Sequence, residues 1–444
     1  MTAIPIWFVR PETLGAIRKE IGKLAAGFAD ASGFEPKPGR LQLLPAADGT
    51  LAGVLFGEDP ADPLLAGRLG SGLPPGVYRF ATPPLAPDLA ELAFHLARYR
   101  FDRFKAAGRV APSLEAPTPA IEAEAAAIAW GRDLVNLPAN VLTPSALEKA
   151  AVDLGAAHGA QLRVTSGEAL AREFPLVAVV GAAAEEPPRL VDFTTGPADA
   201  PKVTLVGKGV TFDTGGLDIK PANGMELMKK DMGGAATALT LARLVMEARL
   251  PMRLRVLIPI VENAIAGPAM RPSDVYRSRK RLTVEIGNTD AEGRLILADA
   301  LALAAEEAPD LLFDFATLTG AARVALGPEI PPFYTDDDAL AEEIARHALA
   351  ARDPVWRLPL WRGYESMLES QVADLTNAPA GGFAGSITAA LFLRRFAEGA
   401  KAWAHFDIYA WNPKARATGP QGGEIQVARA LFALLAARFP RRAS

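Results

Sequence analysis

The sequence of 444 residues contains no cysteine, which excludes disulfide bonds, thiolate zinc sites, iron–sulfur clusters and cysteine nucleophiles. Histidine is also scarce, because the chain has only 4 histidines, which are scattered, and no HExxH motif. A histidine-based zinc site is therefore not expected. Any bound metal must use oxygen or nitrogen ligands.

Signals for membrane insertion and for several common chemistries are also missing. No uninterrupted apolar run reaches the roughly 18 residues of a membrane span, and the N-terminus lacks the pattern of a signal peptide. We therefore expect a cytoplasmic protein with no membrane partner. The segment VGKG (206–209) lacks the remaining residues of a phosphate-binding loop, and no GxSxG motif occurs. The formal net charge of -4 argues weakly against a nucleic-acid surface.

The length of the chain favours two domains, because it exceeds what one hydrophobic core usually supports. Closely spaced prolines in RVAPSLEAPTPA indicate a linker. We predict a small N-terminal α/β domain at 1–118, without a motif that carries chemistry, and a large catalytic domain at 119–444. In the small domain, RLQLLP and LAGVLFG are typical of strands, and residues 86–108 have apolar positions at helical spacing.

The second domain alternates short β segments with helices. The β segments are KVTLVG, RLRVLIPIV, LTVEIG and DLLFDFATL, and the helices between them include AATALTLARLVMEAR and RLILADALALAAEE. This alternation predicts right-handed crossovers and a mixed, mostly parallel sheet covered by helices on both faces. The predicted fold class is α/β.

Polar residues follow each predicted strand, where open α/β sheets bind their ligands. They are Lys208, Asp213, Lys220 and Asp231 after the first strand, Glu262 and Asn263 after the second, Asn288, Asp290, Glu292 and Arg294 after the third, and Thr317 and Thr319 after the fourth. Carboxylates that converge at one edge repel one another unless positive charge neutralises them. A pair of divalent metal ions would do so, and would support hydrolysis.

The acidic residues also have ordinary interpretations. Asp231 alone could cap the helix that follows it, and Asp290 with Glu292 could be favourable charge at the positive end of a helix dipole. An ordinary structural role explains Arg294 less well, because a cation near the positive N-terminal end of a helix dipole is unfavourable.

Four segments carry a resemblance to a known family: VGKGVTFDTGGLDIKP (206–221), LMKKDMGGAA (227–236), NTDAEGRLILADAL (288–301) and ATLTGA (316–321). Together they resemble the leucyl aminopeptidase (cytosol aminopeptidase) family, and looser similarity covers most of residues 120–444. NTDAEGRL is highly specific in this context.

The resemblance implies that five residues bind two divalent metal ions: Lys208, Asp213, Asp231, Asp290 and Glu292. The tighter site would use Lys208, Asp213, Asp231 and Glu292, and the more exchangeable site would use Asp213, Asp290 and Glu292. A lysine can serve as a ligand because an adjacent dication favours the neutral amine. Zinc or manganese is expected, and magnesium or cobalt would also suit such a site.

The resemblance also implies catalytic roles for Lys220 and Arg294. Lys220 would stabilise the developing oxyanion, and Arg294 would hold a bicarbonate that carries a proton from water to the leaving amine. A substrate anchored through its free α-amine would make the enzyme an exopeptidase that acts on small peptides.

Five positions match the first side-chain pocket and the substrate groove of the family: Met228, Asn288, Thr317, Leu318 and Gly320. An apolar pocket containing methionine predicts a preference for leucine-like N-terminal residues. In relatives the N-terminal domain helps to assemble a homohexamer, so a homohexamer is the expected assembly.

The sequence alone leaves two alternative functions open. A dinuclear phosphoesterase would suit the carboxylates, but a lysine ligand without clustered histidines disfavours it. Some bacterial family members also bind DNA, so a non-catalytic or additional regulatory role is the second alternative. The mild acidity and the lack of an obvious Lys/Arg-rich stretch argue against nucleic acid as a partner.

Overall fold

The computed structural model describes residues 3–106, 108 and 110–441. The chain divides into two compact units, one of Met1–Ala129 with Pro413–Gln421 and one of Trp130–Asn412 with Gly422–Ser444. A continuous helix, Pro119–Asn136, passes from the first unit into the second. The predicted boundary between residues 118 and 119 stays a prediction.

The first unit is a five-stranded sheet with helices on both faces, in the strand order β2-β3-β1-β4-β5. Its elements are β1 (Ile4–Val9), α1 (Leu14–Glu20), α2 (Lys23–Ala31), β2 (Leu41–Pro45), β3 (Leu51–Gly57), α3 (Gly67–Gly72), β4 (Val77–Phe80), α4 (Pro87–Ala97) and β5 (Ser113–Leu114). Alternate residues of β1 face opposite cores, as a pleated strand requires. Phe8 packs in the cluster with Phe94 of α4, and Trp7 packs in the cluster with Ile17 of α1.

Two local predictions for the first unit need correction. The helix predicted through residue 108 ends at Ala97, where the Arg100 guanidinium donates hydrogen bonds to the carbonyl oxygens of Ala97 and Tyr99. The proline-rich segment is not only a linker, because its residues Ser113–Leu114 form β5 and pair with β4. A side-chain contact at the helix end determines the structure of the first segment, and pairing with β4 determines that of the second.

The second unit contains the remaining elements. They are α5 (Pro119–Asn136), α6 (Pro144–Ala157), β6 (Gln161–Ser166), α7 (Gly167–Glu173), α8 (Pro175–Val180), β7 (Arg189–Thr195), β8 (Lys202–Gly207), β9 (Gly209–Asp213), α9 (Ala222–Met225), α10 (Gly233–Glu247), β10 (Arg253–Asn263), β11 (Val275–Arg277), β12 (Thr283–Glu285), α11 (Glu292–Ala305), β13 (Leu311–Ala316), α12 (Gly320–Leu326), β14 (Pro332–Tyr334), α13 (Asp338–Ala351), β15 (Trp356–Arg357), β16 (Leu375–Thr376), α14 (Gly385–Ala397), β17 (Trp403–Asp407), β18 (Trp411–Asn412), β19 (Gly422–Gly423) and α15 (Ala428–Arg438).

The main sheet has the order β15-β14-β17-β13-β8-β10-β7-β6, and β9 pairs with β10. Its central strands β17, β13, β8 and β10 are parallel, whereas β7 and β6 extend it in antiparallel fashion. Helices cover both faces of this mixed sheet, which confirms the predicted α/β fold class. Within the part of the chain that the structure describes, no helix has the length and apolar character needed to span a bilayer.

The segment LTVEIG forms a strand, but not in the main sheet. Its strand β12 belongs to a separate three-stranded sheet with β11 and β16. Helix α11, which follows this segment, packs against β8, β10 and β13 of the main sheet.

The carboxyl ends of four central strands meet at one edge of the main sheet. Lys208 follows β8 directly, Asn263 ends β10, Thr317 follows β13 and Asp407 ends β17. Parallel strands therefore bring residues from distant parts of the sequence to one place.

Candidate metal and peptide site

Lys208 lies at the centre of the site and is almost completely buried. Its Nζ is 2.8 Å from Asp231 Oδ2 and 2.9 Å from Glu292 Oε1, and it donates a hydrogen bond of 3.1 Å to the carbonyl oxygen of Thr317. This approach requires glycine at 293, because a Cβ there would lie 2.6 Å from Lys208 Cε. The glycine of NTDAEGR thus makes room for the lysine of VGKG.

Three buried carboxylates surround this lysine. Asp213, Asp231 and Glu292 each place a carboxylate oxygen within 4.8 Å of the others. Asp231 Oδ2 and both oxygens of Glu292 accept no hydrogen bond from the residues that the structure describes, since the contacts of Lys208 have ion-pair distance but not hydrogen-bond geometry. Buried acceptors of this kind are costly unless a cation or a donor satisfies them.

Lys220 lies beside the same cluster. Its Nζ is 2.8 Å from Asp213 Oδ2 and also contacts Asp290 Oδ1. The described site thus places four carboxylates against two ammonium groups. The excess negative charge suits a cation.

The environment raises the pKa values of four of these groups. Burial, and then the charge of Asp213, raise the pKa of Glu292 to about 8 and also raise the pKa of Asp290. Burial works to lower the pKa of both lysines, but the surrounding carboxylates outweigh it and raise the pKa of Lys208 and Lys220 above the ordinary value. Strongly shifted pKa values of this kind are concentrated at functional sites.

Asp213 and Asp231 accept hydrogen bonds from neighbouring groups and do not act as helix caps. Asp213 Oδ1 accepts hydrogen bonds from Asn263 Nδ2 at 2.8 Å and from the backbone N–H of Gly215 at 2.9 Å. Asp231 Oδ1 accepts one of 2.7 Å from Thr317 Oγ1. The interpretation of Asp231 as a cap for α10 is wrong, because no side chain caps that helix.

The loop that carries Asp290 is fixed from a distant segment. Asn377 Oδ1 accepts hydrogen bonds from the backbone N–H groups of Gly287 and Asn288, and its Nδ2 donates to the carbonyl oxygens of Asn288 and Ala291. Asn288 also shapes the turn itself, because its Oδ1 accepts a hydrogen bond of 2.7 Å from the backbone N–H of Asp290. This contact gives Asn288 a structural role beside its predicted role in substrate binding.

Arg294 lies in the first turn of α11 and is buried. Its Nη1 donates a hydrogen bond of 2.6 Å to the carbonyl oxygen of Asn377, whereas its buried Nε–H has no acceptor in the described structure. Burial lowers the pKa of this guanidinium to about 10. The arginine therefore keeps donor capacity for an anion.

The predicted substrate segment Thr317–Gly320 follows β13 and is held by Asp407. The Oδ1 atom of Asp407 accepts hydrogen bonds from the backbone N–H groups of Leu318 at 3.1 Å and Thr319 at 3.2 Å. Its Oδ2 accepts from Thr319 Oγ1 at 2.5 Å and Ser386 Oγ at 3.0 Å. Gly320 then begins α12.

Met228 and Lys230 lie in the 3₁₀ helix Met228–Met232, which also carries Asp231. Lys230 is buried, and burial lowers its pKa to about 8. Its Nζ lies 5.0 Å from the centroid of the Tyr409 ring.

Two protein-family models match this chain and identify its family. The catalytic domain of the cytosol aminopeptidase family matches residues 129–432, and the N-terminal domain of M17 aminopeptidases matches residues 4–117. The chain belongs to the cytosol aminopeptidase family. This result confirms the resemblance inferred from the sequence.

Individual cytosol aminopeptidases and related solved structures support the same family. A probable cytosol aminopeptidase of Syntrophotalea carbinolica is 41% identical over 363 residues, which cover 77% of this chain and 73% of the relative. A crystal structure of cytosol aminopeptidase from Coxiella burnetii is 43% identical with a TM-score of 0.95, covering 99% of this chain and 98% of that chain. The bottromycin maturation enzyme BotP in complex with Mn is 33% identical with a TM-score of 0.87, covering 99% of this chain and 100% of that chain.

The curated cytosol aminopeptidase relatives are only partly spanned by the aligned region, which covers from 56% to 73% of their length. The relatives and solved structures nevertheless indicate a metal-dependent peptidase.

Four residues that support the site were assigned no function from the sequence: Asn263, Thr289, Asn377 and Asp407. Thr289 is fully buried, and its Oγ1 donates to the carbonyl oxygen of Gly215 at 2.6 Å. The rule that ligands lie beyond strand ends already named Asn263 without a role, and it could also have identified Asp407, which ends β17. No sequence signal points to Asn377.

Proposed function

We propose that this chain is an aminopeptidase that hydrolyses the N-terminal peptide bond of peptides with two divalent metal ions. The observation that carries this proposal is the group of buried carboxylates, Asp213, Asp231 and Glu292, in which Asp231 Oδ2 and both oxygens of Glu292 accept no hydrogen bond from the described residues. The family of the chain supports peptide hydrolysis over the phosphoesterase alternative.

The residues present fit the metals. Oxygen ligands with one lysine nitrogen suit Zn, Mn, Mg or Co, and the Mn complex of the related BotP favours testing manganese first. The tighter site would use Lys208, Asp213, Asp231 and Glu292, and the exchangeable site Asp213, Asp290 and Glu292. Lys208 would bind as the neutral amine, so its proton would be released on metal binding.

The metals would supply an activated water and electrostatic stabilisation of the developing charge. The chain's own groups would orient the reaction around them. Lys220 contacts Asp213 and Asp290, so its ammonium group is well placed to stabilise an oxyanion on the scissile carbonyl. The carboxylate-rich surroundings would favour a positively charged or metal-bound α-amine, which explains specificity for a free N-terminus.

Arg294 would bind bicarbonate as the carrier of the proton from water to the leaving amine. Its buried position and its unsatisfied Nε–H support an anion at this place. A planar, bidentate oxyanion matches the donor fork of a guanidinium.

The substrate would lie along Met228, Asn288, Thr317, Leu318 and Gly320. Leu318 is only partly buried and packs against the main core, so one side of it remains open to a ligand. With Met228, it supports a preference for leucine-like or other apolar N-terminal residues.

The test is the initial rate of hydrolysis of leucine p-nitroanilide by protein as purified, stripped with a chelator, and reconstituted with Mn²⁺ or Zn²⁺. Activity should disappear on stripping and return with metal, and the N-acetylated substrate should not be hydrolysed in any state. Hydrolysis that survives stripping, or that ignores acetylation, would contradict the proposal. No hydrolysis in any metal state would favour the non-catalytic alternative.

For the whole molecule we propose a cytoplasmic homohexamer with residues 1–118 as a non-catalytic assembly domain and residues 119–444 as the catalytic domain. The names of the relatives support the cytosolic location. They do not favour DNA binding as the main function.

A further inference from the structure

Arg323 lies one helical turn beyond the proposed substrate segment. It follows Gly320 by three residues on α12, and its guanidinium folds back toward that glycine, because a Cβ at position 320 would lie 3.8 Å from Arg323 Nη2. Apart from the chain neighbours of Gly320 and the backbone of its own helix, no other atom of the described residues is within 4 Å of that Cβ position. The guanidinium therefore borders an open space at the end of the substrate segment.

Arg323 is connected to the metal site through Tyr409. The guanidinium carbon lies 4.9 Å from the centroid of the Tyr409 ring, and Lys230 Nζ lies 5.0 Å from the same centroid. Lys230 directly precedes the proposed ligand Asp231. Two basic side chains thus meet at one aromatic ring between the proposed substrate segment and the carboxylate cluster.

Neither basic side chain forms a salt bridge with a carboxylate that the structure describes, although the charge of the adjacent Asp231 acts on Lys230. Among the residues described by the structure, neither Arg323 nor Lys230 forms an ion pair or donates a side-chain hydrogen bond, and Arg323 is partly exposed. A guanidinium offers five N–H donors in a fixed planar arrangement that matches a carboxylate. The stacking on Tyr409 orients these donors without satisfying them.

We propose that Arg323 binds a carboxylate of the peptide substrate on the far side of the scissile bond. The carboxylate is either the free C-terminus of a dipeptide or an acidic side chain at the second residue. This inference rests on the proposed aminopeptidase function and adds a substrate class to it. Lys230 adds charge of the same sign and strengthens the attraction.

The direction of the chain favours the second residue. Thr317 touches the metal site, because its carbonyl oxygen accepts from Lys208 and its hydroxyl donates to Asp231. The segment then leads away from the carboxylates to Gly320 and Arg323. With the α-amine at the carboxylates, the group that reaches Arg323 lies beyond the first residue.

The test compares kcat/KM within two pairs of substrates on the metal-loaded, full-length enzyme. Leucyl-glycine is compared with leucyl-glycinamide, and leucyl-aspartamide with leucyl-asparaginamide. A charge-assisted hydrogen bond predicts that the charged member of at least one pair is preferred by about tenfold at low ionic strength, with the ratio falling as salt rises. The pair that shows the preference identifies the source of the carboxylate.

Variants then assign the preference. Arg323→Gln should bring the ratio close to one, and Arg323→Lys should retain part of it. Because each ratio compares two substrates on one preparation, a general loss of activity cancels. Arg243→Gln is the matched control, since Arg243 also lies over an aromatic ring, that of Trp130, but on another helix.

Two outcomes would overturn the inference: a wild-type enzyme that prefers neither charged substrate, or a preference that persists in Arg323→Gln. The wild-type result is decisive even if the variant fails to fold. Failure of the proposed function itself is distinguishable, because it would abolish hydrolysis of the neutral members as well.

Discussion

At the scale of single residues, each site aspartate is held by a neighbouring polar side chain, which for Asp213 and Asp231 comes from another segment. Asn263 and Thr317 hold Asp213 and Asp231, and Asn288 holds the backbone of Asp290. Such support fixes ligand geometry before the metal binds, which raises affinity and activity. Glu292 is different, because both of its oxygens lack a hydrogen-bond donor in the described structure and only the Lys208 ammonium lies at ion-pair distance.

Lys220→Met should lower kcat by a factor on the order of 10² to 10³, because it removes a preorganised positive charge from the developing oxyanion. KM should change much less. The measurement is steady-state hydrolysis of leucine p-nitroanilide at saturating Mn²⁺. Lys149→Met, which changes an exposed lysine on α6, is the control. A variant that retains wild-type kcat would refute the role of Lys220.

We predict that Asp407 positions the proposed substrate segment. Asp407→Ala leaves two backbone N–H groups and two hydroxyl groups without their acceptor, so kcat/KM should fall by about tenfold or more, with most of the loss in KM. Asp407→Asn should recover most of the activity, because its oxygen still accepts from the backbone and its amide can donate to the hydroxyls. Equal activities of the two variants would contradict this role.

At the scale of elements, the order of strands and helices was predictable and the contacts between elements were not. Strands β8, β10 and β13 and helices α10 and α11 follow directly from apolar periodicity and turn residues, and the strand-end rule correctly indicated that Lys208, Asp213 and Thr317 lie near the site. The rule could not place LTVEIG in a separate sheet, because a three-residue strand carries no information about its partner.

The hydrogen bonds that distant segments make to the site were equally unpredictable from the sequence. Asn377 lies in a glycine-rich segment with no regular pattern, yet it holds the loop of Asp290 with four hydrogen bonds. Such contacts depend on how loops pack after folding. The proposed metal ligands could be assigned from the sequence only because their motif is specific to a family.

Helix α11 is fixed to its surroundings through the buried Asp299. This carboxylate accepts hydrogen bonds of 2.7 Å from the backbone N–H groups of Leu176 and Arg279. Burial raises its pKa to about 7, although the hydrogen bonds act in the opposite direction. A folded-state pKa above the unfolded value means that the folded protein holds the proton longer as pH rises.

The free energy of unfolding should therefore contain a contribution from Asp299 that falls between about pH 4 and pH 7. Asp299→Asn removes this titration, so the stability of the variant relative to wild type should rise with pH across that window, even though one hydrogen bond is lost. Urea unfolding at several pH values measures the difference. Parallel pH profiles would show that burial does not raise the pKa of this carboxylate.

At the scale of the whole molecule, the catalytic unit has large apolar side chains on its surface. Trp356 and Trp361 are each 61% exposed, and Phe383 is 89% exposed. Exposed aromatic side chains of this size are typical of contact surfaces between proteins. They are consistent with the proposed assembly.

Sedimentation velocity of the purified chain should give a particle of about six times the 46.8 kDa mass of one chain, as the proposed homohexamer requires. Trp361→Asp should shift the distribution toward smaller species if this side chain lies in an interface. A wild-type protein that sediments as a monomer at micromolar concentration would exclude the hexamer.

The central claim is that the carboxylate cluster binds two divalent ions per chain. Equilibrium dialysis against Mn²⁺, followed by metal analysis, measures this number directly and retains the exchangeable ion. Wild-type protein should bind two ions per chain, and Glu292→Gln, which alters a ligand common to both sites, should bind fewer with loss of activity. A fully active wild-type protein with one ion or none would contradict the two-metal account.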